Sequence, residues 1–312
     1  PIDMPLFLSP TALQRLFHHD GERAVGRAAE AFNTLFGISS LATVGIEEVG
    51  ESIKSPKVFQ LYYHKDKALT WDMIDRCKEA NFDALALTVD TIVGGNRERD
   101  LWTGFTSPPR LTPASLLSFA THPSWTLNYL LREPFALSNL KNHVSEGSNV
   151  SISVSDYFST MLDQTMDWDA AAAVRERWGK AFCLKGIMSV EDARKAVEIG
   201  ADAIMVSNHG GRQLDGSRAP FDQLAEIIDA VGSDIDVICD GGIQRGTHVL
   251  KALSLGAKAC SGGRWYLYAL AGAGRQGVER ALTNMHSELT RDMKLMGAQS
   301  LADLGRQNLR FR

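Results

Sequence analysis

Short apolar runs recur along the whole chain, and most of them are followed by a segment with helical periodicity. The runs occupy residues 5–9, 35–40, 57–63, 84–90, 181–187, 203–209, 236–242 and 259–265. Several are apolar without alternation, as in the run Ala-Leu-Ala-Leu-Thr-Val that begins at Ala84, which is typical of strands buried on both faces of a parallel sheet. The pattern therefore predicts eight parallel β-strands covered by helices.

The segments between these runs carry helix signals of their own. Ser189-Val-Glu-Asp192 has the spacing of a capping box, ahead of a helix that we expect to end at Gly200. Further helices are predicted over residues 22–32, 46–52, 66–80, 169–178, 221–231, 247–255 and 277–296. Strands that alternate with helices in this way favour a closed (β/α)8 TIM barrel over an open, doubly wound sheet. Residues 1–312 are then predicted to form a single domain.

One segment after the fourth strand is too long for an ordinary connection between a strand and a helix. It covers residues 104–155 and is predicted to be a lid or docking loop. It is unusually apolar for a loop, with Leu116, Leu117, Phe119, Trp125, Leu127, Tyr129, Leu130 and Leu131. Such a segment can cover an active site, pack on a neighbouring subunit or lie on a membrane surface. Packing on the chain's own barrel is the remaining alternative.

Composition and charge exclude several classes of protein. The chain has 33 basic and 37 acidic residues, a formal net charge of -4, so no basic field favours nucleic acid as a partner. The four cysteines are far apart and form no C-x-x-C pair, which predicts neither a disulfide framework nor a metal site. A cytoplasmic location fits this cysteine usage. No apolar run approaches the roughly 18 residues that span a bilayer.

Polar and ionisable residues stand at the predicted carboxyl ends of all eight strands. Because active sites of such barrels lie at this face, we expect these side chains to build one polar pocket. The strand ends supply Pro10-Thr11, Ser39-Ser40, Gln60 with Tyr62, Thr88 with Asp90, Lys185, Ser207 with His209, Asp240-Gly-Gly242, and Gly263-Arg264.

The most specific stretch runs from Ser207 to Asp215 and reads Ser-Asn-His-Gly-Gly-Arg-Gln-Leu-Asp. His209 is able to act as a general base near neutral pH, and Arg212 offers a planar fork that binds a carboxylate at two points. The glycine-rich turns at 240–242 and 262–264 come after strands seven and eight, where barrels often bind phosphate through backbone amides. An anionic cofactor is the natural occupant.

These motifs carry a resemblance to a known family. The stretch 207–215 together with Lys185-Gly-Ile, Phe59-Gln-Leu-Tyr62, Leu87-Thr-Val-Asp90, Asn96-Arg-Glu-Arg99 and Asp240-Gly-Gly-Ile resembles the FMN-dependent L-2-hydroxy acid dehydrogenases and oxidases. Glycolate oxidase, L-lactate dehydrogenase and oxidase, and mandelate dehydrogenase belong to that family. The resemblance covers essentially the whole chain, with the motifs in one order.

The resemblance implies a role for each residue of the predicted catalytic set. His209 takes a proton from the substrate, with Asp90 orienting the imidazole and stabilising its cationic form. Arg212 binds the substrate carboxylate, Tyr62 donates a hydrogen bond near the α-hydroxyl, and Lys185 places positive charge at the flavin. Arg97 corresponds to a loop arginine near the active site. Leu41 stands where relatives vary in size, and a medium aliphatic side chain there suggests a small substrate such as lactate.

The same resemblance implies an FMN site along the strand ends. Ser39, Gln60, Thr88 and Ser207 match flavin-binding positions, whereas Asp240, Gly242, Gly263 and Arg264 match the ribityl and phosphate end. The full set implied to bind FMN comprises Pro10, Thr11, Ala12, Ser39, Gln60, Thr88, Lys185, Ser207, Asp240, Gly241, Gly242, Gln244, Gly263 and Arg264.

Three features depart from the family pattern. Gln244 stands where relatives usually have arginine, and Trp265 stands where smaller residues or proline are usual. Relatives also carry a segment before the first strand, with a tyrosine that reaches the substrate, and this sequence begins at that strand. We expect either an incomplete sequence or a more open pocket. These departures leave a flavin-binding barrel with impaired catalysis as an alternative function.

The sequence therefore predicts FMN-dependent oxidation of a small L-2-hydroxy acid, L-lactate first, to the 2-oxo acid. Glycolate and mandelate are the alternative substrates, and oxygen, a quinone or a cytochrome is the electron acceptor. The resemblance implies a homotetramer. Residues 104–155 resemble the membrane-docking or mobile loop of the dehydrogenase branch, so peripheral contact with the inner face of the membrane is the alternative to a purely cytoplasmic location.

Overall fold

Eight strands close into a parallel barrel in which each strand pairs with its neighbours in chain order and β8 pairs with β1. The computed structural model describes residues 1–104, 112–134, 136–143, 157 and 160–310. The closed barrel confirms the predicted (β/α)8 fold and excludes the open sheet. The strands are β1 (Leu6–Thr11), β2 (Phe36–Ser39), β3 (Lys57–Leu61), β4 (Ala84–Thr88), β5 (Ala181–Ile187), β6 (Ala203–Val206), β7 (Asp236–Asp240) and β8 (Ala259–Gly262).

Helices pack around the barrel and fill the connections. They are α1 (Gln14–Phe17), α2 (Gly21–Ala31), α3 (Ile46–Ser52), α4 (Lys67–Glu79), α5 (Glu98–Thr103), α6 (Pro113–Thr121), α7 (Pro123–Leu131), α8 (Trp168–Trp178), α9 (Val190–Glu198), α10 (Pro220–Val231), α11 (Gly246–Leu255) and α12 (Arg264–Met296). Short 3-10 turns occupy Ser138–His143, Leu301–Asp303 and Arg306–Asn308. The Ser189 hydroxyl accepts a hydrogen bond from the Asp192 amide, 3.0 Å away, which confirms the predicted cap of α9.

Side chains alternate along each strand between two surroundings. Those that point outward form the core between strands and helices, as Leu8, Ile38 and Phe59 do. Those that point inward form a small apolar layer across the barrel, which includes Phe7 and Val58. Because the side-chain period of a strand is two residues, the next inward residue is Ser9 on β1 and Gln60 on β3. The barrel interior therefore changes from apolar to polar toward the carboxyl ends of the strands.

The last helix begins earlier than the sequence pattern predicts. The pattern predicts a helix from residue 277, whereas α12 starts at Arg264 and is interrupted at Ala273 and Gly274. Gly274 has a φ of 56°, in the left-handed region that favours glycine. Its backbone lies against the His18 ring, which an added Cβ would approach to 2.7 Å. The expected helix is thus the second part of a longer, kinked one.

The segment after β4 contains helices where the sequence predicts a loop. Of residues 104–155, those at 105–111, 135 and 144–155 lie outside the described residues. Within the described part, α6 and α7 form a helical pair in which neither helix has a buried residue. The Trp125 indole donates to the Leu16 carbonyl at 2.8 Å, and the Arg15 guanidinium donates to the Glu133 carbonyl at 2.7 Å. These contacts hold the pair beside α1, the short helix that follows β1.

Candidate active site

A buried ion pair lies at the centre of the polar layer. Lys185 Nζ is 3.0 Å from Asp240 Oδ2, and the Asp240 carboxylate also accepts hydrogen bonds from Ser9 (3.0 Å), Ser207 (2.7 Å) and Ser261 (2.5 Å). Burial by itself would raise the pKa of Asp240, but the Lys185 ammonium and the hydroxyls outweigh it and hold that pKa at about 2.

The lysine of this pair keeps its charge for the same reason. Burial alone would lower the pKa of Lys185, but Asp240 and Asp90 raise it. A full positive charge therefore stands inside the barrel, with its counter-ion fixed by hydroxyls from three other strand ends. Sequence reasoning found Lys185, Asp240 and Ser207 but missed Ser9 and Ser261, although both lie two residues beyond an inward apolar position.

A neutral wall of hydrogen-bonding groups continues from this charged pair across β2, β3 and β4. Ser39 Oγ donates to Gln60 Oε1 at 3.0 Å, and Gln60 Nε2 donates to Thr88 Oγ1 at 2.8 Å. All three side chains are buried. The structure thus brings together three of the residues that the resemblance assigns to flavin binding, and their uncharged donors and acceptors suit the carbonyl and N–H groups of a flat heterocycle.

The structure places His209 and Asp90, the predicted acid–base pair, within hydrogen-bond distance of each other. His209 Nδ1 is 3.1 Å from Asp90 Oδ1. Burial would raise the pKa of Asp90, but the bond to His209 and the charge of Lys185 lower it overall. The carboxylate is therefore ionised near neutral pH and acts only as an acceptor, so Nδ1 carries the imidazole proton. The lone pair of the neutral ring is then on Nε2, the nitrogen that can accept a proton.

A left-handed turn presents the histidine. His209, Gly210 and Gly211 have φ values of 58°, 68° and 73° in succession, and a non-glycine residue held there is strained by roughly 1–3 kcal/mol. The His209 amide donates to Ser207 Oγ at 3.2 Å, and the Gly211 amide donates to Asn208 Oδ1 at 3.0 Å. The two glycines of the motif permit the turn, and side-chain bonds offset the strain at His209.

Asp90 depends on a glycine in the neighbouring strand. Gly186 has a φ of 112° and lies where the pairing of β5 with β6 shifts between Lys185 and Ile187. A Cβ at this position would come within 2.6 Å of the Asp90 Cβ and within 2.7 Å of its carboxyl carbon. Gly186 therefore leaves the space that the carboxylate occupies, a function that sequence reasoning did not assign to it.

The loops after β4 and β6 pack on each other beside this pair. Gln213 Nε2 donates to the Val93 carbonyl at 2.9 Å and to the Asp90 carbonyl at 3.4 Å. A Cβ on Gly95 would meet the Arg212 carbonyl oxygen at 2.2 Å, so only glycine permits this approach of the two backbones. The contact fixes Arg212 relative to Asp90, and sequence reasoning missed both Gln213 and Gly95.

Three further predicted residues share one electrostatic environment. Tyr62 is buried, and burial with the Asp90 charge raises the pKa of its hydroxyl, while Arg97 and Arg212 oppose that shift. Burial and the nearby Arg212 charge lower the pKa of Arg97. Arg212 also has a carboxylate partner, Asp100, at 3.8 Å. Two guanidinium groups therefore act on each other and on one phenol, an arrangement that favours the binding of a small carboxylate.

The glycine-rich turns follow the ends of β7 and β8. Gly241 and Gly242 have φ values of 137° and 71°, and Arg264, the first residue of α12, donates to the Gly210 carbonyl at 2.8 Å. Open space lies beside Gly211 and Gly242, where an added Cβ meets nothing within 4 Å. Backbone amides, a helix N-terminus and one arginine suit a phosphate in this position.

The end of β1 adjoins this region. Thr11 Oγ1 is 2.6 Å from the Tyr266 hydroxyl, and a Cβ on Gly263 would approach the Thr11 methyl to 3.2 Å. The strand end Pro10-Thr11-Ala12 thus stands next to the turn that precedes α12. Leu41, in contrast, is 1% exposed and belongs to the core between strands and helices. Its amide donates to Ser39 Oγ at 3.2 Å.

Gln244 and Trp265, the two residues that depart from the family pattern, lie in different surroundings. Gln244 is exposed, and the neighbouring Arg245 does not replace the absent arginine, because its guanidinium pairs with Glu288 at 2.8 Å. The Trp265 indole nitrogen lies 2.0 Å from where a Cβ of Gly262 would be. Since Ser261 points inward to Asp240, the Gly262 position faces outward. Trp265 therefore packs in the layer between the barrel and the helices.

Comparison with known proteins identifies the family. Residues 1–311 match the family model described as FMN-dependent dehydrogenase. The chain belongs to this family. It is 38% identical over 310 residues to the L-lactate dehydrogenase of Vibrio cholerae serotype O1 (strain M66-2), covering 98% of this chain and 81% of that protein. It is 37% identical over 308 residues to glycolate oxidase 1 of Oryza sativa subsp. indica, covering 99% and 78%.

A solved structure of the same family is similar over the whole chain. The monotopic membrane protein (S)-mandelate dehydrogenase superposes with a TM-score of 0.94 at 31% sequence identity, covering 100% of this chain and 82% of that one. The protein is therefore an FMN-dependent 2-hydroxy acid dehydrogenase or oxidase, as the motifs predict. The relatives named above are described with three different 2-hydroxy acids, so family membership alone does not select the substrate.

The residues at the strand ends fit FMN. The neutral groups of Ser39, Gln60 and Thr88 would suit the edge of the isoalloxazine, and Lys185 would supply positive charge beside it. The open glycine turn at Gly242 and the start of α12 suit the phosphate. These groups line one continuous face of the barrel, from the charged pair to the glycine turns.

Proposed function

We propose that the protein oxidises a small L-2-hydroxy acid, L-lactate in the first instance, to the corresponding 2-oxo acid. The observation that carries this proposal is the bond between His209 and ionised Asp90, which leaves Nε2 as the ring nitrogen able to accept a proton. Tyr62 lies in the field of Asp90 and of two guanidinium groups, those of Arg97 and Arg212. A base and two guanidinium groups match a substrate that has both a carboxylate and an acidic proton to lose. A barrel that only binds flavin has no use for this arrangement.

Each residue of the site has a distinct task in this proposal. Arg212 and Arg97 bind and orient the substrate carboxylate, and Tyr62 donates its hydroxyl proton near the substrate oxygen. His209 accepts a proton at Nε2, and Asp90 stabilises the imidazolium that results. Lys185 keeps a positive charge at the buried end of the flavin site. FMN, when bound, accepts the two electrons that the substrate loses.

The choice of L-lactate rests on one observation, because Leu41 is buried in the core between strands and helices and gives no measure of the room for a substrate. The lactate dehydrogenase of Vibrio cholerae serotype O1 (strain M66-2) is 38% identical over nearly the whole chain. Glycolate has a smaller side chain than lactate and mandelate a larger one, so they are the two competing substrates.

A substrate panel under anaerobic conditions tests this assignment. The purified, yellow holoenzyme is mixed with L-lactate, glycolate or (S)-mandelate, and the rate at which the flavin absorbance bleaches is recorded for each. We expect L-lactate to bleach the flavin fastest at equal, subsaturating concentration. Faster bleaching by mandelate or glycolate would reassign the substrate, and no bleaching by any of the three would support the impaired flavin barrel.

The exposed apolar side chains of α5 to α7 support a membrane-facing electron acceptor. Trp102 is 86% exposed and Leu131 is 76% exposed, and a monotopic membrane protein is among the similar structures. In the described part of the chain, no helix combines the length and apolarity needed to cross a bilayer. We propose that these three helices lie on the membrane surface, with a quinone as acceptor instead of oxygen.

Two measurements separate the acceptors and the location. Peroxide release is compared with reduction of a soluble quinone during turnover, and the protein is co-sedimented with anionic phospholipid vesicles. We expect quinone reduction to exceed peroxide release and the protein to sediment with the vesicles. Peroxide in an amount equal to the product would identify an oxidase, and protein that stays in the supernatant would exclude membrane contact.

A further inference from the structure

A threonine that no sequence motif marked lies within the acid–base pair. Thr91 is 3% exposed, and its hydroxyl oxygen is 2.8 Å from Asp90 Oδ1 and 3.2 Å from His209 Nδ1. Since Nδ1 and Oδ1 are 3.1 Å apart, the three atoms form a closed triangle. We propose that Thr91 is a positioning residue that sets both the orientation and the basicity of His209, an inference that rests on the proposed function.

The protons of this triangle have one consistent arrangement. Because the carboxylate has no proton, the Thr91 hydroxyl donates to Oδ1, as the 2.8 Å distance indicates. The remaining lone pair of the hydroxyl then faces the Nδ1–H of the imidazole. That proton is shared between a charged acceptor and a neutral one, so the ring is held from two directions.

The donation from Thr91 also changes the charge that His209 experiences. In the described part of the chain, Asp90 Oδ2 is buried and has no hydrogen-bond partner, so the hydrogen bonds of this carboxylate converge on Oδ1. A hydroxyl that donates to Oδ1 takes up part of the negative charge that would otherwise stabilise the imidazolium. Thr91 therefore weakens the attraction between the Asp90 carboxylate and a proton on the His209 ring.

Other charges around the pair are unaffected by a change at Thr91. Lys185 acts on Asp90 from β5. Tyr62 interacts with Asp90 and with Arg97 and Arg212, which stand in the loops after β4 and β6. Asp100 balances Arg212 at 3.8 Å. None of these five groups bonds to the Thr91 hydroxyl in the described structure, so its removal changes one component of the local electrostatics.

Thr91→Val and Thr91→Ser test the inference together, because valine keeps the shape of threonine and serine keeps its hydroxyl. The pH dependence of kcat/KM is measured for both variants and the parent, with bound FMN absorbance as the check on folding. In Thr91→Val we expect the acidic limb to move to higher pH by roughly half to one pH unit, the size of one hydrogen bond. Thr91→Ser should keep the parent profile.

A second readout does not depend on turnover. The His209 ring resonances of the FMN-bound protein are followed by NMR against pH, with His209→Asn used for assignment. In Thr91→Val the ring should titrate at higher pH than in the parent. An unmoved titration, or an equal movement in Thr91→Ser, would overturn the inference. A parent enzyme that turns over none of the three acids would overturn the proposed function, and the ring titration would still decide the role of Thr91.

Discussion

In most proteins charged side chains are exposed and large apolar side chains are buried. The polar layer inside the barrel and the helices α5 to α7 depart from this pattern in opposite ways. The first buries charges, with Lys185 4% exposed and Asp240 7% exposed. The second exposes large apolar side chains, with Leu101 75% and Leu117 67% exposed. The buried charges are compensated within the chain by four donors on one carboxylate. The exposed apolar surface has no comparable compensation within the described chain.

The difference shows which of the two regions has its unusual side chains satisfied by contacts within the chain. A buried ion pair persists only when its remaining lone pairs and protons are satisfied, and Ser9, Ser207 and Ser261 do this for Asp240. An apolar patch of several side chains is instead typical of a surface that meets another molecule. The proposed chemistry therefore lies on the barrel, and the proposed contact with a membrane lies on the helices after β4.

The largest expected effect comes from breaking the buried pair. Asp240→Asn leaves the buried Lys185 charge without its direct ion-pair partner, so the free energy of unfolding should fall by about 3–5 kcal/mol. The matched control is Asp236→Asn, which removes one partner of an exposed pair with Lys258 at 3.8 Å and should cost less than about 1 kcal/mol. Urea denaturation of both FMN-bound variants measures the contrast. Equal losses would show that the polar layer is no more tightly held than the surface.

The second-largest effect is expected at Gly186, the glycine that leaves space for Asp90. Gly186→Ala should lower the free energy of unfolding by about 2–4 kcal/mol, because a Cβ both overlaps Asp90 and requires a strained backbone. Gly211→Ala is the control, since Gly211 has a φ of 73° with nothing within 4 Å. Gly211→Ala should lower the free energy of unfolding only by the cost of backbone strain, roughly 1–3 kcal/mol. Denaturation curves check both values, and an equal cost would mean that Asp90 is free to move.

The free energy of unfolding should also depend on pH through the ionisation of Asp240. Its pKa is held at about 2, below the 3.8 of the unfolded chain, so its contribution is fully present above the unfolded value and is lost as pH falls through about 4 toward 2. The loss from this group alone should be about 2–3 kcal/mol. Unfolding free energies measured from pH 6 to pH 3 should fall less steeply in Asp240→Asn than in the parent. Parallel curves would contradict the assignment.

Much of this contrast could be predicted from the sequence. The residues that the sequence did not mark were missed for physical reasons. Strand ends rich in polar residues predicted the site, because an apolar strand without alternation is easily distinguished from the polar residues at its carboxyl end. Ser9 and Ser261 were missed because they lie inside apolar runs, where only the two-residue period reveals the inward face. Thr91 was missed because its role depends on the fold bringing His209 to it.

The helices after β4 were missed for a different reason. Residues 113–131 were recognised as apolar but not as helical, because an apolar stretch with no polar face has no helical periodicity to detect. The start signals were nevertheless present, since Pro113 and Pro123 occupy the first turns of α6 and α7. The Thr112 hydroxyl also accepts from the Ser115 amide at 3.2 Å, as in a capping box.

The smallest expected effect belongs to the exposed helices. Leu130→Ser with Leu131→Ser should change the free energy of unfolding by less than about 1 kcal/mol, because neither side chain is buried. The same double variant should lose co-sedimentation with anionic vesicles. A large loss of stability would show that α7 belongs to the core instead of an outside contact. The conservative pair Leu130→Ile with Leu131→Ile should keep both properties.

The central claim is that His209 accepts the substrate proton with Asp90 behind it. Its most direct test is anaerobic, single-turnover bleaching of the flavin by L-lactate in the parent and in His209→Asn, both loaded with FMN. We predict that the variant binds FMN and bleaches about 10²–10⁴-fold more slowly, the contribution of a positioned general base. Bleaching of His209→Asn at the parent rate would contradict the account.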